Sequence, residues 1–391
     1  MQGNAFADNE FRMIRILLLI DYSSEFDRKL LRGLVRYSKE NGPWLFYRMS
    51  SYYADLLGKE GLLEWARTWQ ADAIIGQWKR DDVNFLKELE IPVVLQNYHH
   101  RSTIFSNLTG DYEGTGAMAA NFFIKKMYNN FAFFGINGLV WSDERREGFK
   151  KEVEKHGGDF YYLEFDIYST VNRTAVSDWL KALPKPVALF CCDDAHALFI
   201  SETCKINGIQ IPEEISLLGV DNDDLMCSIS DPPISSIVLD VEEGGYMIGK
   251  KIHSRITGEL TENFNVVIEP TRIELRQSTE RININDSNVL RVITYIENNF
   301  SKDIRIDSIL DDVPLSRRSL EVRFKKETGT TIYQYILRCR CEHLAYMLVT
   351  TNRPIIEIAY EAGFTDYNNI ARVFKKFYGC SPVEYRSKFV K

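Results

Sequence analysis

No run of about 18 consecutive apolar residues, the length a membrane-spanning helix needs, occurs anywhere in the 391 residues. A charged n-region leading into a long apolar core is also missing. The one apolar run near the start, RILLLI at Arg15–Ile20, has the length of a single strand. The cytoplasm is therefore the expected location, with no membrane partner. The seven cysteines (Cys191, Cys192, Cys204, Cys227, Cys339, Cys341 and Cys380) are an odd set without a CxxC pair. Their spacing suits neither a zinc site nor a disulfide framework, so buried thiols acting as small hydrophobes are expected, and no metal. Catalytic signatures are equally scarce. The six histidines are scattered, and no nucleophile elbow, phosphate loop or zinc-ligand spacing appears. An enzyme is not expected, nor a cofactor.

What is present is a chain long enough for two or three domains, with 45% apolar and 26% charged residues, as in soluble proteins with real cores. The net charge of −7 hides an asymmetry. From residue 287 onward there are 17 Lys and Arg against 12 Asp and Glu, a balance of +5, while the remainder carries 31 against 43, or −12. A basic end on an acidic body points to nucleic acid as that end's partner.

Residues 1–12 are polar and aperiodic and read as a disordered start. Strand-length apolar runs then alternate with amphipathic stretches. IRILLLID precedes a helix with Phe26, Leu30, Leu34 and Tyr37 at helical spacing. WLFYRM, ADAIIGQW and IPVVLQN read as strands, with EGLLEWARTWQ and DDVNFLKELE as helices between them. The alternation resumes after a crossover near residue 128, with NFAFFGI, VALFCCDD and EISLLGVD as strands and DERREGFKKEVEKHG as a helix. Two such sets predict an α/β region of two lobes, each a doubly wound parallel sheet. Ligands of such sheets bind beyond the carboxyl ends of the strands. Those ends carry Asp21, Gln77 and Trp78, Asp193 and Asp194, and Asp221 and Asn222. A single one would be an ordinary helix cap; several converging predict a cleft for a small polar molecule.

The motif order in this region resembles the type I periplasmic sugar-binding fold as used in LacI-type regulators. GDYEGTGAMAANFF resembles that family's entry to the crossover helix, and ERREGF its R-x-x-G-F element. CDDAHAL, GVDNDD, PPISSI and IELRQST follow in the family's order. The resemblance spans about Met13 to Thr279 and implies a sugar-binding domain over residues 13–278, its two lobes joined by crossovers near 128, 240 and 265. Two departures stand out. Cys192-Asp193-Asp194 replaces the usual Asn-Asp, and the dozen residues before the first strand are too few for the family's N-terminal DNA-binding headpiece.

DNA binding is expected at the other end. After a polar linker at 279–288, the chain over 289–391 reads as all-helical and contains a repeat. LEVRFKKETG (Leu320–Gly329) aligns with IARVFKKFYG (Ile370–Gly379) at an offset of 50 residues, each preceded by a short amphipathic helix and a tight break. This predicts two helix-turn-helix units, about 305–328 and 355–378. In the later copy Tyr367, Ile370, Phe374 and Phe377 form the expected buried stripe, leaving Asn368, Asn369, Arg372, Lys375 and Lys376 outward. In the earlier copy Leu320 and Phe324 are the core pair, leaving Arg317, Arg318, Glu321, Arg323 and Lys325 outward. Asn suits adenine and Arg guanine in the major groove, while lysines suit phosphates. Gly363 is placed for a positive φ, and Ser316 and Asp366 for N-caps. A lone charge run is more often a solvated helix face. Here duplication, basic balance and the turn glycine together favour DNA.

The tail resembles the AraC-type regulator domain at Ile355, Ile358, Ala359, Gly363, Phe364, Asp366, Phe374, Lys375, Lys376, Gly379, Ser381, Pro382, Tyr385 and Arg386, with Ile370 in place of a usual Phe. It implies two units joined by a long helix, about Ile332 to Leu348, that place their second helices in successive major grooves. Arg317, Arg318, Glu321, Asn368, Asn369 and Arg372 become the expected base readers. The two resemblances together imply a transcription regulator with a sugar effector, a pentose and in particular D-xylose. Asp21, Arg28, Trp78, Trp141, Arg145, Asp193, Asp194, Asp221 and Asn222 are the candidate effector contacts. A homodimer on a double-stranded operator, with RNA polymerase as a further partner, completes the expectation. A regulator of the same build answering to another sugar or to none, and a sugar-processing enzyme with a regulatory tail, are the competing readings.

Overall fold

The computed structural model of the chain describes residues 13–20, 24–49, 51–78, 82–166, 172–284, 286–311, 313–365 and 367–389, and the side chains within them except at 51–52, 54–55, 78, 97, 367–369 and 388–389. It divides into two compact units, Met1–Arg281 and Ile282–Lys391, a division that falls inside the polar stretch after the last strand.

The first unit begins with β1 (Ile14–Leu19), α1 (Glu25–Asn41), β2 (Trp44–Arg48), α2 (Ser51–Thr68), β3 (Ala73–Trp78), β4 (Val93–Asn97), β5 (Ser106–Gly110) and α3 (Tyr112–Lys125). It continues with β6 (Asn130–Asn137), α4 (Val140–His156), β7 (Asp159–Asp166), α5 (Arg173–Ala182), β8 (Val187–Cys191), α6 (Asp194–Ile206), β9 (Ile215–Val220) and α7 (Asp224–Ile229). β10 (Ser235–Leu239), α8 (Val241–Ile256), β11 (Asn265–Ile268) and β12 (Pro270–Glu274) close it.

Two sheets result, in the orders β11-β5-β4-β3-β1-β2 and β12-β10-β9-β8-β6-β7. Every strand pairing is parallel except β10 with β12. Each sheet is the centre of one lobe. The chain passes between the lobes through α3, through α8 and through the single residue Glu269 between β11 and β12.

The strands are apolar throughout because helices cover both faces. In β1, Ile16 and Leu18 enter one core while Leu17 and Leu19 enter another, as the two-residue period of a strand requires. β8 does the same with Ala188 and Phe190 on one side and Val187, Leu189 and Cys191 on the other. α1 begins where the Ser24 side chain accepts the Asp27 N–H, and it buries Leu30, Leu34 and Tyr37 at the expected spacing. One expected helix is not formed as such. DDVNFLKELE contains only a 3-10 stretch at Asn84–Leu89 with Leu86 buried. The run stops at Glu90, which adopts a left-handed φ of 53° two residues before Pro92 at the head of β4.

The second unit comprises α9 (Ser287–Asn299), α10 (Ile306–Leu310), α11 (Arg317–Thr328), α12 (Ile332–Thr350), α13 (Ile355–Glu361), α14 (Tyr367–Tyr378) and α15 (Pro382–Phe389). The pairs α10–α11 and α13–α14 are the duplicated helix-turn-helix units, and α12 lies between them in sequence. Leu320 and Phe324 in α11 are buried, as are Ile370 and Phe374 in α14, so the Ile370 swap leaves the core filled. Gly329 and Gly379, equivalent in the repeat, stand at φ 69° and 74°. Gly363 adopts φ 88°, and a Cβ there would lie 2.8 Å from the carbonyl oxygens of both Phe300 and Ser301. Ser316 caps α11 by accepting the Ser319 N–H; Asp366 lies outside the described residues.

Phe377 does not belong to the buried stripe. It is 38% exposed, and Tyr378 takes its place, stacking on Phe374 at 4.6 Å between centroids and meeting Tyr385 of α15 edge-on. The position ten residues after Tyr367 has drifted off the core face, and α15 covers the face one residue further round.

Candidate functional site

The carboxyl ends of β3, β4, β6, β8 and β9 and the first turns of α1, α4 and α6 contribute the polar groups between the lobes of the first unit. In lobe 2, Arg145 on α4 is 4% exposed. Its Nη1 donates to the Cys192 carbonyl at 2.5 Å and its Nη2 stands 3.8 Å from Asp221 Oδ1. Its guanidinium lies over the rings of Tyr112 and Trp141, 5.5 and 5.6 Å from the centroids. Nε is buried and makes no hydrogen bond among the described residues. A buried charged donor with spare capacity, flanked by two aromatic faces and a carboxylate, suits a polyhydroxylated ligand.

Asp221 and Asn222 follow β9 with φ of 97° and 48°, a left-handed corner that Asp and Asn tolerate best after glycine. Asp194 is 2% exposed, accepting from Ser236 Oγ at 2.6 Å and from the Asp223 N–H at 2.7 Å. Burial, and then the nearby Asp221 carboxylate, push its acidity well up out of the usual carboxylate range. Both its oxygens hold the corner, so Asp194 shapes the cleft rather than facing into it. Burial likewise raises Asp221, against the opposing pull of Arg145.

Asp193 caps α6, its Oδ1 accepting the His196 N–H at 2.8 Å and lying 2.6 Å from His196 Nδ1. Burial pushes the imidazole down, but the Asp193 carboxylate outweighs it and raises His196 to about 11. The spacing of the cysteines gave no sign of a donor cluster, yet the start of α6 gathers Cys192, Asp193 and His196 with donor atoms within 4.8 Å of one another. Among the described residues this is the set that could hold a metal ion. The Asp193–His196 bond already satisfies two of its members, and a helix N-terminus beside Arg145 disfavours a cation.

In lobe 1, Arg28 on α1 pairs with Glu25 at 2.8 Å and reaches Asp223 of lobe 2 at 3.4 Å. Asp21 and the Trp78 side chain lie outside the described residues. Of the network around Gln77, the sequence singled out Gln77 at the end of β3 but not Asp27, Gln96 or Tyr98. Asp27 is fully buried and accepts from Gln77 Nε2 at 3.0 Å. Gln77 also donates to Gln96 and accepts from the Tyr98 hydroxyl at 2.7 Å. A carboxylate in the first turn of a helix reads as an ordinary helix-dipole partner, and only the fold shows that it is buried beneath the strand ends. Six other candidates are among the described residues: Arg145 meets half-buried Trp141, Asp221 and the Cys192 carbonyl just before Asp193, and Arg28 meets Asp223 just after Asn222.

In the second unit Arg317, Arg318, Glu321 and Arg323 are exposed on α11, and Arg372, Lys375 and Lys376 on α14. Arg317 Nε bonds Glu321 at 3.1 Å, one turn on, and Arg323 pairs with Asp286, which caps α9. Asn368 and Asn369 fall on the first turn of α14, and their side chains lie outside the described residues. Opposite these basic faces each helix is buried, so the basic side is the side turned to solvent. Burial keeps Cys191, Cys192, Cys204, Cys227 and Cys341 in the role expected of the thiols, whereas Cys339 and Cys380 are only half-buried.

The periplasmic binding protein-like domain family matches residues 120–279, and a helix-turn-helix domain family matches residues 310–388. With the two-lobed sheet fold and the duplicated units, they define the class: an AraC-type transcription regulator that carries a periplasmic-binding-protein-like sensor. In particular, the chain is similar along its length to the xylose operon regulatory protein of Escherichia coli K12, with 28% identity over 387 residues, 95% of this chain and 96% of that one. The xylose operon regulatory protein of Haemophilus influenzae is 26% identical over 389 residues, 95% and 98% of the two chains. A solved xylose-binding transcription activator superposes with a TM-score of 0.60 at 25% identity, covering 97% of this chain and all of that one. No described helix is long and apolar enough to cross a membrane.

Proposed function

We propose that the chain senses a pentose, D-xylose, in the cleft between its lobes and uses that signal to place its helix-turn-helix units on an operator, activating genes for pentose catabolism. The observation that carries this reading is Arg145, buried between Trp141 and Tyr112 opposite Asp221 with Nε unpaired. The end-to-end likeness to xylose operon regulatory proteins supports the choice of sugar. Effector binding favours the closed arrangement of the lobes by its difference in affinity for the two states. A homodimer in the cytoplasm would then engage paired half-sites with the avidity of two DNA-binding units, and could contact RNA polymerase from there. The chain acts by binding and not as an enzyme. Calorimetric titration with a panel of pentoses and hexoses, followed by sugar-dependent footprinting on the DNA beside the chain's own gene, tests the reading. No heat with any sugar would sink it. A different sugar is the second reading, favoured by Asp193, bonded to His196, in the Cys192-Asp193-Asp194 stretch where the LacI-type pattern has Asn-Asp, because a changed set of polar groups rejects ligands that leave it unpaired.

A further inference from the structure

Among the described residues Arg28 links α1 to Asp223 of lobe 2, and Lys29 makes a further link. Its Nζ donates to the carbonyl of Asp221 at 2.6 Å and to that of Asn222 at 3.3 Å. Asn222 is also held from within lobe 2. Arg276, two residues after β12, donates Nη2 to Asn222 Oδ1 at 2.8 Å and Nη1 to the Ile234 carbonyl at 2.9 Å. Its backbone N–H donates to Ser235 Oγ, and Asp224 lies 3.8 Å from its Nη2. Arg276 thus stands at the start of the segment, 275–281, through which the chain leaves the first unit.

The corner therefore faces three ways. The Asp221 side chain faces Arg145 and the candidate effector site. The two carbonyls face the lobe 1 ammonium, and the Asn222 amide faces the exit segment. The left-handed φ of both residues turns successive carbonyls toward one cation, and such a conformation persists only where surrounding bonds over-determine it. Lobe 2 supplies several. Asp221 N–H donates to the Ile237 carbonyl at 3.0 Å and Asn222 N–H to Ser236 Oγ at 3.0 Å. Lys29 is the contribution that depends on the lobes being closed.

We propose that the Asp221–Asn222 corner is the coupling element of the sensor, with Lys29 and Arg276 as the positioning residues that hold it. Lys29 makes the corner's geometry depend on lobe closure. Arg276 passes that geometry to the exit segment. Neither touches the effector in this scheme. The inference rests on the reading of the cleft as the effector site.

Full-length wild type and the variants Lys29→Met, Lys29→Arg, Arg276→Met and Arg276→Lys are titrated with D-xylose. Each is then assayed for binding to the DNA upstream of the chain's own gene, with and without the sugar. Lys29→Met should weaken sugar binding about tenfold, and Lys29→Arg should restore most of it. Arg276→Met should leave sugar affinity within about threefold while reducing the sugar-induced gain in operator affinity at least fivefold, the low end of ordinary coupling factors. Arg276→Lys serves if the Met variant does not fold, with the same expectation in weaker form. Unchanged sugar affinity in Lys29→Met, or an Arg276 variant in which sugar and operator binding fall together, overturns the coupling role. If wild type binds none of the sugars, it is the functional reading that has failed.

Discussion

Arg145 Nη2 and Asp221 Oδ1 stand 3.8 Å apart, close enough for attraction and too far for a hydrogen bond. Each therefore keeps capacity for a third group, which is what a sugar hydroxyl supplies. Arg145→Lys keeps the charge and removes the planar fork. A hydrogen bond to a charged group contributes about 1.5–3 kcal/mol, so sugar affinity should fall by roughly ten- to a hundredfold in calorimetry. A change of less than threefold would take Arg145 out of the site.

His196 gives the first unit a pH dependence of definite sign. Its folded value of about 11 lies above the ordinary imidazole value of 6.5. The stability contributed by the Asp193–His196 pair is therefore complete below pH about 6.5 and is lost as pH rises toward 11. Thermal midpoints of wild type should decline more steeply between pH 7 and pH 10 than those of His196→Gln, where the charge is gone; parallel curves would contradict the pairing.

On the DNA side, Lys375 and Arg372 occupy one exposed face of α14 with different chemistry. Lys375→Ala should weaken binding to every sequence alike and reduce the salt slope by about 1. Arg372→Ala should cost about 1–3 kcal/mol and relax sequence preference at one position. Salt titrations against the operator and single-base variants separate the two; identical behaviour would end the division of roles.

Gly363→Ala meets both a left-handed φ and two carbonyl oxygens at 2.8 Å. The conformational penalty alone is about 1–2 kcal/mol, and the contact adds to it. Ser316→Ala, which removes only a cap, should cost about 1 kcal/mol. Denaturant titration followed through the second unit should rank them in that order.

The parts of the fold that were legible in the sequence are those where apolar period and burial agree. β1, β6, β8 and β9 are continuous apolar runs because both faces are covered, and the repeat exposed the paired units through Phe324 and Phe374. β5 was hidden. Its SNLTG is polar, and Asn107 is used sideways, bonding the Ser102 carbonyl and Asn265. The cleft was half legible. Strand-end Asp and Asn residues announced themselves, but Lys29, Asp27 and Arg276 act from positions that look like ordinary helix and strand surface. Their meaning depends on which residue lies opposite, and only the folded chain fixes that.

The three passages between the lobes also govern how the protein can be made. Lobe 1 is completed by β11, which covers the edge of β5, and lobe 2 by β12, which covers the edge of β10. Both arrive only after residue 264. During synthesis, then, each sheet waits with an unpaired edge strand until nearly the whole first unit has been polymerised. Those two edges are where a stalled or truncated chain would join its neighbours.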